Sequence, residues 1–193
     1  MDENAQKQIT DDLAGELLEL DKAPLKYAAK EVADLLGTMN LRKILVTGGA
    51  GSGKTTFSDE LANLAELRHF DMDKYVKGGY TKDASVYTQR LVDAVYKMWL
   101  VLPIAGWVVE HVEMGRPEFV QSFQPDAVIL LPSGKEHLRN VAAARAIAAR
   151  EPSPVEREDR AVQTSEQAEK RFDTLPWHEV KAPGKWRMKV RPS

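Results

Sequence analysis

Three kinds of side chain in this sequence are spaced for work on phosphate. They are a lysine and a threonine behind a glycine-rich turn, two aspartates separated by one residue, and arginines further along the chain. The turn reads Gly48, Gly49, Ala50, Gly51, Ser52, Gly53, Lys54, Thr55, Thr56, which fits the phosphate-binding pattern Gly-x-x-x-x-Gly-Lys-Thr. Glycines let successive backbone N–H groups converge on an anion without Cβ clashes, and a helix opening at the turn adds its positive end to the same place. Lys54 can then reach the β- and γ-phosphates of a nucleotide, and the Thr55 hydroxyl is placed to ligate Mg²⁺.

The aspartates come next, in Asp71-Met72-Asp73-Lys74-Tyr75. A short strand, Arg68 to Phe70, delivers them to the carboxyl end of a parallel sheet, where ligands bind. They are expected to divide their work. Asp73 is the candidate base for the proton of an attacking hydroxyl, and Asp71 supports the Mg²⁺ hydration shell or holds a substrate hydroxyl. Tyr75, Tyr80 and Arg90 stand around the polar connection that follows and could clamp an acceptor. Glu110, at the end of an apolar run, could bind Mg²⁺-linked water; its neighbour His111 reads as a structural histidine outside the chemistry. Arg116 faces the same end of the sheet as a further acceptor contact. Arg139, Arg145 and Arg150 stand amid alanines further on, where guanidinium groups can stabilise charge spread over a phosphoryl group.

The elements that must position these residues follow from periodicity. Lys43 to Thr47 is a β-branched run feeding the glycine turn, and Phe57, Leu61 and Leu64 give the helix after it one buried face. Tyr87, Leu91, Ala94, Val95, Met98 and Leu102 form the apolar side of a longer helix that Pro103 ends. Trp107 to Val112 reads as a buried third strand, Asp126 to Leu131 as a fourth, and Trp177 to Lys181 as a fifth. The stretch from Glu151 to Gln167 reads as a mobile segment running into a polar helix that ends near Phe172.

Ahead of the first strand, residues 1 to 40 read as two helices separated by Pro24. Ile9, Leu13, Leu17 and Leu20 line one, and Leu25, Ala28, Ala29, Val32 and Leu36 line the other, with Gly37 as its stop. Such a pair covers a flank of the sheet or meets a second copy of the chain. The tail from Lys185 to Arg191 is cationic around Trp186 and alternates like a strand. It suits either a charge-protected edge strand or a grip on nucleic acid.

A length of 193 residues suits one packed core with appendages. With 43% apolar residues and no long low-complexity tract, the composition is that of a globular chain. A net charge of −2 provides no global attraction to nucleic acid, and zero cysteines exclude disulfides and thiolate metal sites. The acidic start Met1-Asp2-Glu3 carries no signal-peptide pattern, and no apolar window is long enough for a membrane span, so cytoplasmic residence is expected.

The glycine turn after a strand, Asp-x-Asp after a second, an acidic residue on a third and arginines after a fourth together resemble the P-loop kinases of the nucleoside, nucleotide and polynucleotide kinase group. The resemblance covers about residues 41 to 182. It implies a three-layer α/β fold with a mostly parallel sheet of about five strands, a helical extension over 1–40, a kinase domain over 41–193 and a lid near 133–165. It further implies that the P-loop, through Gly48, Gly53, Lys54 and Thr55, holds ATP with Mg²⁺. In the group Asp73 would bind and deprotonate the acceptor hydroxyl, and Arg145 and Arg150 match the lid position. The acceptor would be a nucleoside- or nucleotide-like molecule. A hydroxyl on a polynucleotide is one alternative, and a nucleotide-hydrolysing switch or assembly factor with no acceptor is another.

Overall fold

The structure, a computed structural model, describes residues 22–76, 84–103, 105–148, 155–180 and 186–192. Its strands are β1 (Lys43–Gly48), β2 (Arg68–Asp71), β3 (Trp107–Glu110), β4 (Ala127–Leu131), β5 (His178–Val180) and β6 (Arg187–Val190). They form one sheet in the order β2-β3-β1-β4-β6-β5. The strands β2, β3, β1 and β4 are mutually parallel, β6 is antiparallel to β4, and β5 is antiparallel to β6. Strands β3 and β4 are buried at every position and β1 at all but its first, which is why they read as continuous apolar runs and not as alternating ones.

The helices are α1 (Lys22–Met39), α2 (Lys54–Leu64), α3 (Ala84–Trp99), α4 (Pro117–Phe123), α5 (Lys135–Ala148) and α6 (Val155–Thr174). Strand alternation sorts the core between two faces. Ile44, Val46, Val108 and Ile129 meet α1 and α2 through Val32, Leu36, Phe57 and Leu61. Leu45, Val109, Val128 and Leu130 meet α3, α4 and α6 through Leu91, Met98, Phe123 and Phe172. A smaller cluster of Leu138, Ala142 and Ala161 joins α5 to α6, with Ala50 of the glycine turn packed against it. This is the expected three-layer α/β architecture of the P-loop NTPase type, with six strands in place of about five.

The departures from expectation have local causes. Helix α1 runs through Gly37 and stops at Asn40, which takes a left-handed φ of 54°. Leu41 N–H donates to Leu36 O and Asn40 N–H to Gly37 O, a Schellman closure in which asparagine replaces the usual glycine. The apolar face of α1 is spent inside the chain, with Ala29 and Val32 fully buried. Burying a side chain such as Val32 or Leu36 contributes about 1.5–3 kcal/mol, enough to fasten the helix as part of this layer. The first expected helix lies outside the described residues. Helix α6 begins at Val155, well inside the stretch expected to be mobile.

The cationic tail is an inner strand. Strand β6 lies between β4 and β5, and Trp186 just before it is 2% exposed, its Nε1 donating to Glu31 of α1 at 3.3 Å. Lys189 is also buried and donates to Asp173 O and Leu175 O, closing the carboxyl end of α6. Arg187 spans Glu179 and Asp173. Trp186 therefore offers no aromatic platform for a base, and three side chains of the tail, Trp186, Arg187 and Lys189, hold the fold together through their polar contacts. Among the described residues no helix is long and apolar enough to cross a membrane.

Candidate functional site

Strand β1 has β3 on one side and β4 on the other, so the chain that leaves β1 emerges where the connections diverge, the place where open α/β sheets bind ligands. The loop there makes a cradle. Gly51 and Gly53 take φ of 91° and 81°, a left-handed region that side chains strain to enter. Gly53 is the N-cap of α2 and supplies no capping side chain, so no side chain competes for the first amides of that helix. Ser52 Oγ is buried without a hydrogen-bond partner beside them.

Lys54 folds back across the loop, its Nζ donating to Gly49 O at 2.9 Å. Burial pushes its ammonium below the usual lysine range, while Glu110 and Asp73 pull the other way. The Thr55 hydroxyl donates to Glu110 Oε1 at 2.7 Å, so the two residues expected to serve a metal do meet. Burial raises the Glu110 carboxyl above the usual carboxylate range, against the opposing effects of Lys54 and Thr55. Among the described residues no cluster of three or more His, Asp or Glu side chains gathers for a metal. One carboxylate and one hydroxyl suit Mg²⁺, which completes its shell from water and substrate phosphates.

The two aspartates stand in different surroundings, for a reason found at the end of β2. In a strand, residues two apart share a face. Here β2 stops at Asp71 and Met72–Lys74 forms a 3₁₀ turn, so the chain rotates between the two carboxylates. Asp71 stands beside Glu110 in register, and its Oδ1 accepts the Asp73 N–H at 3.0 Å, capping the turn. Asp73 keeps its side chain 78% exposed, with Oδ1 only 3.0 Å from His111 Nε2. Pairing with His111 holds the Asp73 carboxyl below the usual carboxylate range, and Lys54 and Arg160 add to the effect against partial burial.

Other expected contacts are distributed differently. Tyr75 is half-buried against the α3-side core. Arg116 caps α4, and its Nε pairs with Glu113 Oε2, which also receives Arg171 Nη1, so this guanidinium is committed to a buried carboxylate. Arg145 lines a cavity of about 510 Å³ together with Gly53, Thr56, Pro132, His137 and Leu25 of α1. Arg150 and Tyr80 lie outside the described residues.

Several residues at the site have no signal in the sequence. The Ala50 N–H donates to Thr164 Oγ1 of α6 at 3.0 Å, and a Cβ on Gly49 would lie 2.7 Å from that of Ser165. His69 Nε2 lies 4.0 Å from Glu110 Oε1. His111 reads from sequence as structural, yet it touches the candidate base. The alternation of β3 was the available clue: Val109 faces the α3 side, so the second position after it falls on that side too.

Sheet order, glycine cradle and the placement of Lys54 are those of a P-loop NTPase fold of the α/β class. Over 51 residues the chain is 39% identical to a shikimate kinase of Parabacteroides distasonis. That stretch is 26% of this chain and 30% of the relative, so the match spans less than a third of the relative's length. No protein-family model matches the chain.

Proposed function

We propose that the chain is an ATP-dependent kinase that moves the γ-phosphoryl group to an alcohol of a small acceptor, of nucleoside or nucleotide type. The observation that carries this reading is the exposed carboxylate of Asp73, which lies in the field of the P-loop lysine, Lys54. A switch protein needs no such group, whereas a kinase needs a base opposite its donor site. The likeness to a shikimate kinase supports the same class and adds a second acceptor type, a small polyhydroxy acid such as shikimate.

The donor triphosphate suits the residues present. The uncapped start of α2, the partnerless Ser52 hydroxyl and the left-handed glycines are the features an anion would use. Gly48 through Thr56 would hold the phosphates, and the cavity lined by Arg145 would receive the base and sugar. Thr55 and Glu110 would hold Mg²⁺, which when bound neutralises charge on the phosphates. Asp73 takes the proton from the acceptor hydroxyl as that oxygen forms its bond to the γ-phosphorus. The bond from phosphorus to the bridging oxygen breaks, and ADP leaves with the bonding pair. Lys54 and Arg145 supply positive charge to the moving phosphoryl group.

Transfer of labelled γ-phosphate, screened over nucleosides, nucleotides, shikimate, other sugars and acids, and single- and double-stranded DNA, tests the reading and identifies the acceptor. Asp73→Asn is expected to lower kcat by about 10²–10⁴-fold, the usual worth of a general base, while ATP binding persists. Full transfer by Asp73→Asn would remove the base assignment. ATP hydrolysis that no acceptor diverts would favour the switch class instead.

A further inference from the structure

His111 is 2% exposed, yet its imidazole is aimed at the one carboxylate of the site that stands in solvent. Its backbone N–H donates to Val46 O at 3.1 Å, which extends the β3–β1 pairing by one residue and fixes where the side chain leaves the sheet. Its Nδ1 accepts the backbone N–H of Glu113 at 3.2 Å. An imidazole nitrogen that accepts carries no proton, so in the neutral ring the N–H must be Nε2. Nε2 is 3.0 Å from Asp73 Oδ1, with the Tyr87 hydroxyl of α3 at 3.4 Å on the same nitrogen.

We infer that His111 is a positioning residue for phosphoryl transfer, holding one oxygen of the Asp73 carboxylate so that the other faces the acceptor hydroxyl. The inference rests on the kinase reading above. The geometry has the parts that such a role needs. The ring is locked from behind by a backbone amide, its tautomer is set by that bond, and its donor meets a carboxylate whose own backbone is a single 3₁₀ turn. A side chain on so short a turn has several rotamers open to it, and fixing one of them is where orientation affects rate.

Two amide substitutions separate this role from plain support of the fold. In His111→Asn the side-chain carbonyl stands near the position of Nδ1 and can still accept from Glu113 N–H, but the amide is too short to replace Nε2. In His111→Gln the amide nitrogen stands near the position of Nε2 and can still reach Asp73. Transfer by wild type, both variants, Asp73→Asn and the His111→Asn/Asp73→Asn double variant is measured with the acceptor found in the screen, alongside thermal melting. The expected result is a kcat lowered roughly 10- to 100-fold in His111→Asn, with the KM for ATP within about twofold of wild type. His111→Gln should recover most of that loss, and His111→Asn should cost nothing further once Asp73 is Asn.

Equal rates in the two variants, a better rate in His111→Asn, or losses that multiply in the double variant would overturn the inference while leaving the kinase reading in place. Absence of transfer by wild type with every acceptor would overturn both. If His111→Asn does not fold, the rate of His111→Gln decides alone. A kcat within threefold of wild type supports the inference, and a loss greater than tenfold in a folded protein overturns it.

Discussion

Replacing Gly49 with alanine tests whether α6 is a wall of the phosphate cradle. A Cβ at this position would meet Ser165 Cβ at 2.7 Å, Ser165 Cα at 3.0 Å and Ala161 O at 3.1 Å. Ordinary contact begins near 3.4 Å, so the helix or the loop must yield by about 0.7 Å. Two of the three atoms belong to the backbone of α6, and no rotamer change moves them. The helix is itself held by Phe172 and Ala168, both fully buried, and by the bond from Ala50 N–H to Thr164. Overpacking of this kind costs about 1–3 kcal/mol. For a chain of this size each kcal/mol lowers Tm by about 2–4 °C, so Gly49→Ala should melt roughly 2–12 °C below wild type. Ser165→Gly removes the nearest atom, so the double variant should be less destabilised than the two single losses added, although glycine within a helix itself costs about 1 kcal/mol. Thermal and urea unfolding of the four proteins closes the cycle. A Gly49→Ala protein that melts with wild type, or strict additivity with Ser165→Gly, would show that α6 does not press on the loop.

Two further outcomes follow from the carboxyl-terminal strand. Trp186→Ala should cost about 3–5 kcal/mol in urea unfolding, the range for removing a large buried aromatic, and no such cost is expected if the tail is a solvated arm. Arg187 holds the Glu179 carboxyl below its usual range, so the pair's stabilisation is present above the unfolded carboxyl value of about 4.3 and is lost as pH falls through the lower folded value. Acid unfolding of Glu179→Gln should therefore show a shallower pH dependence below about pH 4.3 than wild type, and an unchanged curve would refute the coupling.

What could be read from the sequence was what local chemistry dictates. The glycine turn, its lysine and the flanking strand and helix are contiguous, so residues 43–64 were legible almost to their ends. The buried faces of α1 and α3 followed from periodicity in the same way. The tail shows the boundary of such reasoning. Its alternation marked a strand, but alternation does not say where in a sheet a strand sits. Two of the cations weighed for nucleic acid, Arg187 and Lys189, are taken up by Asp173, Leu175 and Glu179, carbonyls and carboxylates that only the folded chain brings near. Thr164 on Ala50 is a contact across 114 residues, and no pattern at either end announces it. Arg116 matched the expected end of the sheet, but it pairs with Glu113 three residues before it, on a carboxylate oxygen that Arg171 of α6 also reaches.

The end of β3 shows how one strand would serve both halves of the proposed transfer reaction. Glu110 shares its face with Val108, so it looks toward α2 and meets Thr55, on the proposed donor side. His111, one residue later, emerges on the face of Val109 and Leu91 and meets Asp73 and Tyr87, on the proposed acceptor side. The period of two that sorts apolar side chains between the two cores thus also sorts the polar pair at the strand's end. A one-residue shift of β3 against β1 would break both pairings: one direction brings Glu110 to Asp73 and Val109 to Thr55, the other brings His111 to Thr55 and Val112 to Asp73. The register Val46 opposite Glu110, followed by His111 N–H on Val46 O, is therefore part of the site's chemistry as much as of its fold. The same register leaves Asp73, at the end of β2 and next to β3 in the sheet, within reach of the His111 imidazole.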